Sequence, residues 1–217
     1  MKLGKKILGS LLGLVLVLPV ASAQSTDTSG KYYWNFGKLR ESIQTADHYM
    51  FQPDGMAPTI APGATVLTRE FRAGRVTAHI MSAALEPNHA YSIWWVIFNN
   101  PQFCATPYEC AGGDLGNDRV KPSVFWGGGL LADSDGYGSI DIELTRGIVS
   151  RELFGPMKDY GLRNVWNAEI HLVLRTHGEA GVAGSVAEQI GTANEACPPD
   201  GCANKFFSIH RAKTGDN

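Results

Sequence analysis

From position 64 onward, apolar side chains recur at every second position in one short segment after another. In Arg75–Met81, Val76, Ala78 and Ile80 alternate with more polar neighbours, the period of a strand with one buried face. Thr65–Thr68 reads as a strand before it, and Ser139–Leu144 alternates in the same way. Tyr91–Phe98 is apolar on both faces, which predicts a central strand covered on both sides. Further strands follow at Ser123–Leu131, softened by Gly127, Gly128 and Gly129, at Ala168–His177 and at Phe206–His210. Asn99-Asn100-Pro101, Asp133-Ser134-Asp135-Gly136 and Pro198-Pro199-Asp200-Gly201 supply turn chemistry between them. Helical periodicity is nearly absent, with one short helix predicted around Ser150–Phe154. About seven strands with turns between them predict an all-β fold, a single antiparallel β-sandwich, with a closed barrel as its nearest rival.

The first 63 residues break this pattern. Lys2, Lys5 and Lys6 precede an apolar run from Ile7 to Leu18, then Pro19 and the small residues Ala21-Ser22-Ala23. That order of zones is a secretory signal, and the run is shorter than the roughly 20 residues a membrane-spanning helix needs. Cleavage is expected before Gln24, giving an exported protein, periplasmic or secreted, with no membrane span. Residues 24–63 read as a disordered lead-in followed by irregular chain, because Pro53, Pro58 and Pro62 interrupt the later part. Residues 64–212 form the domain and 213–217 a short tail.

Charge changes the picture only by exclusion. The chain carries a formal charge of −2, and loss of the signal removes three lysines and no acid. A mildly acidic product without a basic run excludes nucleic acid as an expected partner.

All four cysteines lie beyond the signal. Local pairs, Cys104 with Cys110 and Cys197 with Cys202, are favoured because Pro-Pro-Asp-Gly brings its flanking cysteines together. A zinc site built from all four thiolates is the rival, disfavoured by export to an oxidising compartment. Neither pair has the C-x-x-C spacing of a redox motif.

The segment richest in chemistry is Glu169–Glu179. At two-residue period Glu169, His171, Val173, Arg175 and His177 share one strand face, while Ile170, Leu172 and Leu174 fill the other. His171 and His177 would stand about 20 Å apart in a straight strand, so both cannot ligate one metal unless the strand end bends. One reading is a copper or zinc site in which His171 joins His79, His89 or His210, with Arg175 steering an anion toward it. The other, favoured here, is a solvated polar ladder that stabilises the sheet. Asp133-x-Asp135-Gly136 has the outline of a calcium loop, but Tyr137 stands where a third ligand belongs, so a hairpin turn is the expectation. Trp94 and Trp95 must point to opposite faces, so at most one belongs to any aromatic binding surface. No G-x-S-x-G or H-E-x-x-H spacing marks a catalytic centre.

The run Tyr91-x-Ile93-Trp94-Trp95-Val96-Ile97-Phe98-Asn99-Asn100-Pro101-x-x-Cys104, followed by Ala168–Gly178, resembles a group of secreted bacterial proteins of unknown function. Gly129–Gly184 resembles, more weakly, the CHRD module, whose His-containing strand usually carries an H-x-H pair. Here Glu169 takes the place of the first histidine and only His171 is retained. The resemblance implies an extracytoplasmic sandwich, immunoglobulin-like or CHRD/superoxide-dismutase-like, and no particular reaction. The leading expectation is a non-enzymatic binding or structural module for an unknown ligand or partner, with no cofactor. The alternative is a copper/zinc enzyme that uses His171 with other histidines.

Overall fold

The computed structural model describes residues 33–35, 39–52, 56–147 and 160–213. Among these described residues are nine strands: β1 (Tyr33–Asn35), β2 (Leu39–Met50), β3 (Thr59–Glu70), β4 (Arg75–Ser82), β5 (His89–Phe98), β6 (Pro122–Leu131), β7 (Gly138–Thr145), β8 (Glu169–Glu179) and β9 (Ala203–His210). One short helix, α1 (Val186–Gly191), lies between β8 and β9, in a segment that reads as a glycine- and alanine-rich loop. The signal peptide and the helix expected at Ser150–Phe154 fall outside the described residues. No helix among those residues is long and apolar enough to cross a membrane.

The expectation of two packed sheets is corrected in topology. All strands belong to one antiparallel sheet in the order β6-β5-β8-β9-β2-β3-β4-β7, with β1 added beside β2. The sheet curls until β6 and β7 meet, giving a nearly closed barrel whose seam is made by side-chain contact. Glycines permit this approach. A Cβ on Gly128 would lie 2.8 Å from the Cγ2 of Ile142 on β7. One on Gly129 would strike the Ile190 carbonyl of α1. The glycine-softened middle of β6 is therefore where the barrel closes and where α1 caps it.

The barrel interior is mainly aliphatic, with Leu67, Val76, Ile80, Ile93, Trp95, Ile97, Ile170, Leu172 and Leu174 all buried. Beside this core lies a buried polar group. His48 Nε2 pairs with Thr65 Oγ1 at 3.0 Å, Ser208 Oγ donates to the same hydroxyl at 3.2 Å, and Ser208 Oγ contacts His210 Nε2 at 3.4 Å. Burial lowers the pKa of His48 to about 4 and that of His210 to about 3, the latter helped by the Arg69 guanidinium.

These polar residues explain the main misreading of the sequence. Leu39–Met50 was expected to be irregular and is a twelve-residue strand. Its inward positions include Ser42 and His48, both buried, rather than aliphatic residues, so the alternation lacks the usual hydrophobic mark. A register shift at Asp47/His48 lets His48 lie over Gly63, where a Cβ would come within 2.6 Å of Nδ1.

Candidate functional site

The outer face of β8 is not a solvated ladder. Directly opposed residues share a face, and the register sets Glu169 against Phe98, His171 against Val96, and Val173 against Trp94 on β5. On the other side, His171 faces Ile209 and Val173 faces Phe207 of β9. Trp94, Val96, Phe98, Val120, Val124 and Val173 form a second buried cluster on this outer face, separate from the barrel core. Trp95 points the other way, into the barrel, as the alternation requires.

The chain between β5 and β6 folds back over this cluster and covers it. Asn99 fixes the start by donating to the carbonyls of Lys121 and Gly161 at 2.8 Å each and accepting from Arg163 N. The Cys104–Cys110 disulfide closes the loop, and Asp114 holds it by accepting from Ala105 N and Ala111 N at 2.8 Å each. The second expected disulfide, Cys197–Cys202, is also formed, and no free cysteine remains. Two disulfides point to an oxidising, extracytoplasmic location.

Glu169 links the loop to the strand. It is fully buried, and its Oε1 accepts from Cys110 N at 3.0 Å, His171 Nε2 at 2.7 Å and Arg211 Nη1 at 2.7 Å. Because Oε1 is an acceptor here, His171 donates to it from Nε2 and turns Nδ1 away from the carboxylate. The imidazole stands edge-on to Phe98, with ring centroids 5.0 Å apart.

Between loop and sheet lies a cavity of about 360 Å³. Trp94, Val96, Val173 and Phe207 line it from the sheet, Cys110 and Leu115 from the loop, and His171 contributes its one imidazole. The lining is apolar apart from His171, Asn204 and local backbone. No serine, threonine or free thiol stands beside His171 among the residues that line this cavity.

Arg175 and His177 separate from this site. Register shifts occur in β8 at Leu174/Arg175 against β9, and in β5 at His89/Tyr91. Arg175 sits over the Trp94 ring with Cζ 5.1 Å from its centroid and donates to Asn204 Oδ1 at 3.0 Å. Burial lowers its pKa. His177 is fully buried, with Nε2 2.8 Å from Ser92 Oγ and Nδ1 3.0 Å from Glu195 O. Trp94 Nε1 donates to the same Ser92 oxygen at 3.2 Å. The spacing is that of a nucleophile and its base, but Ser92 and His177 are both buried, and the Ser92 oxygen is shared with Trp94.

The metal grouping of His171 with His79 is not formed. His79 lies on the outer face of β4, held at 2.8 Å by Asp141 of β7, and three strands separate β4 from β8 in the sheet. His48 and His210 lie inside the barrel, and His89 pairs with Glu86 at 2.8 Å. Asp133 forms the expected turn, its Oδ1 accepting from Asp135 N and Tyr137 N at 2.9 Å each. Sequence reasoning placed Glu169, His171 and Arg175 correctly on one face but missed Arg211 and the apolar cover. The signal for Arg211 was present, since Phe207, Ile209 and Arg211 continue one side of the β9 alternation. Comparison with protein-family models, with characterised proteins and with solved structures gives no match to this chain.

Proposed function

We propose that this protein is an exported binding module whose outer-face cavity takes a small, largely apolar molecule bearing one group that hydrogen-bonds to His171 Nδ1. The observation that carries this reading is an imidazole set in a largely apolar wall, with its ring oriented by a buried carboxylate. A cavity of that size and lining matches ordinary small-molecule sites, where a few polar groups orient an apolar body. Export rests on the N-terminal signal pattern and agrees with the two disulfides. The absence of a neighbouring nucleophile favours binding over catalysis.

Titration with an anilinonaphthalene fluorophore, followed by displacement with phenols and medium-chain alcohols, tests the reading. Saturable binding that quenches or shifts tryptophan emission is expected, because Trp94 lines the cavity. Leu115→Trp should fill the cavity from the loop side and abolish binding with little change in melting temperature. Absence of saturable binding, or unchanged binding in that variant, overturns the proposal.

A further inference from the structure

The loop above His177 brings together three groups that no binding role in the cavity uses. His177, Cys197 and Cys202 each offer one ligand atom, and these atoms lie within 4.8 Å of one another. Cys202 Sγ is 3.2 Å from His177 Nδ1. In a tetrahedral zinc site the nitrogen and a sulfur stand roughly 3.5 Å apart, given bonds of about 2.0 and 2.3 Å. The sulfur and nitrogen already have nearly that spacing.

We propose that reduction of the Cys197–Cys202 disulfide converts this cluster into a zinc site, ligated by His177 Nδ1 and the two thiolates, with a water in the fourth position. The disulfide and the metal are mutually exclusive. Bound sulfurs must stand roughly 3.8 Å apart, so the bond has to break before the ion enters. The reductant is a dithiol. It gives two electrons and two protons to the disulfide and becomes a disulfide itself, leaving Cys197 and Cys202 as thiols. Zinc then displaces both thiol protons to solvent.

The surroundings favour this exchange. Both cysteines are only half-buried and sit on a Pro198–Gly201 turn, where Gly201 N donates to Pro198 O at 2.8 Å. The turn packs on β8 at Gly178, which has φ +79° and where a Cβ would lie 2.6 Å from Pro198 Cγ. The Glu195 carbonyl can only accept, so His177 donates to it from Nδ1, and a neutral imidazole then takes the Ser92 hydroxyl proton at Nε2. Metal binding at Nδ1 needs only that the imidazole proton move to Nε2, where the Ser92 oxygen accepts it. Ser92 would then orient the ligand from behind, as groups behind metal-bound histidines commonly do.

The test reduces the whole protein with dithiothreitol, removes the reductant anaerobically, and titrates with cobalt(II) and then zinc(II). One equivalent of cobalt should bind, with a thiolate-to-cobalt charge-transfer band and tetrahedral visible bands, and zinc should displace it. The oxidised protein should give no such spectrum. Cys197→Ser/Cys202→Ser should lose the site while Cys104 and Cys110 remain. Ser92→Ala should keep the spectrum and weaken affinity about tenfold. His177→Gln should lose the nitrogen ligand and lower affinity further. No cobalt spectrum in reduced protein, a spectrum that survives in the double serine variant, or full affinity in both Ser92→Ala and His177→Gln overturns the proposal.

Discussion

Arg69 holds the carbonyl of His210: Nη2 donates to His210 O and Arg211 O at 3.3 Å each, in the stretch where β2 and β9 have ceased to pair. The β2–β9 ladder has only two register pairs, Tyr49–Phe207 and Met50–Phe206. Beyond it a guanidinium replaces backbone donors, while Nη1 donates to Val165 O and Ala168 O at 2.8 and 2.9 Å. Arg69 is fully buried. Arg69→Met should therefore destabilise the fold by about 3 kcal/mol or more, since several buried carbonyls lose their donors together. Arg69→Lys should recover little, because an ammonium cannot reproduce the planar fork. Urea unfolding of the three proteins measures both effects.

Acid should weaken the barrel well before its carboxylates titrate. His48 and His210 accept protons near pH 6.5 when unfolded, but only near pH 4 and 3 in the fold. Between those values the unfolded chain binds more protons, so stability is fully present above pH 6.5 and declines as pH falls toward 4. The loss for His48 alone is on the order of 3 kcal/mol. Melting temperature against pH should drop over this window, and His48→Gln should flatten the drop. An unchanged profile in that variant would show that the interior histidines do not set it.

Glu169 should matter to both ligand and loop. Glu169→Ala leaves Cys110 N–H without its acceptor and frees the His171 ring. Probe affinity in the cavity should fall at least tenfold and stability by about 2 kcal/mol. His171→Phe should keep the fold and lose only ligands that depend on the hydrogen bond. Fluorescence titration beside thermal melting separates the two outcomes.

Loss of the Cys104–Cys110 bond should affect the cavity more than the barrel. The bond closes a loop with a sequence separation of 6, so its entropic contribution is about 2 kcal/mol. Cys104→Ala/Cys110→Ala should remain folded with a lower melting temperature. Its probe binding should fall sharply, because the disulfide loop is one wall of the cavity. Circular dichroism and the same fluorophore titration report these two properties.

The legible part of the fold was the part built from aliphatic alternation. β4, β5, β7, β8 and β9 announce themselves because Val76, Ile80, Ile93, Ile142, Leu172 and Phe206 mark their inward faces. β2 was hidden because Ser42 and His48 fill its inward positions, and a period-two pattern of polar residues reads as loop. The closure into one sheet was not legible either, since it depends on which strands pair at long range. In the site, strand period alone put Glu169, His171 and Arg175 on one face. It could not say that residues 99–121 would cover that face and turn a polar ladder into a buried pair. Nor could it find the approach of His177 to Cys202, which depends on how the disulfide turn packs on Gly178.

The position of β9 has a consequence for how the chain comes to fold. Among the described residues it is the sole hydrogen-bonded link between β6-β5-β8 and β2-β3-β4-β7, and it follows all the other strands along the chain. Until Ala203–His210 is present, the barrel consists of two separate sets of strands with an open interior. Pairings of such long sequence separation form slowly. The two sets of strands therefore become one sheet only when β9 pairs with β8 on one side and β2 on the other. Closure of the barrel thus depends on a single strand added after all the others along the chain.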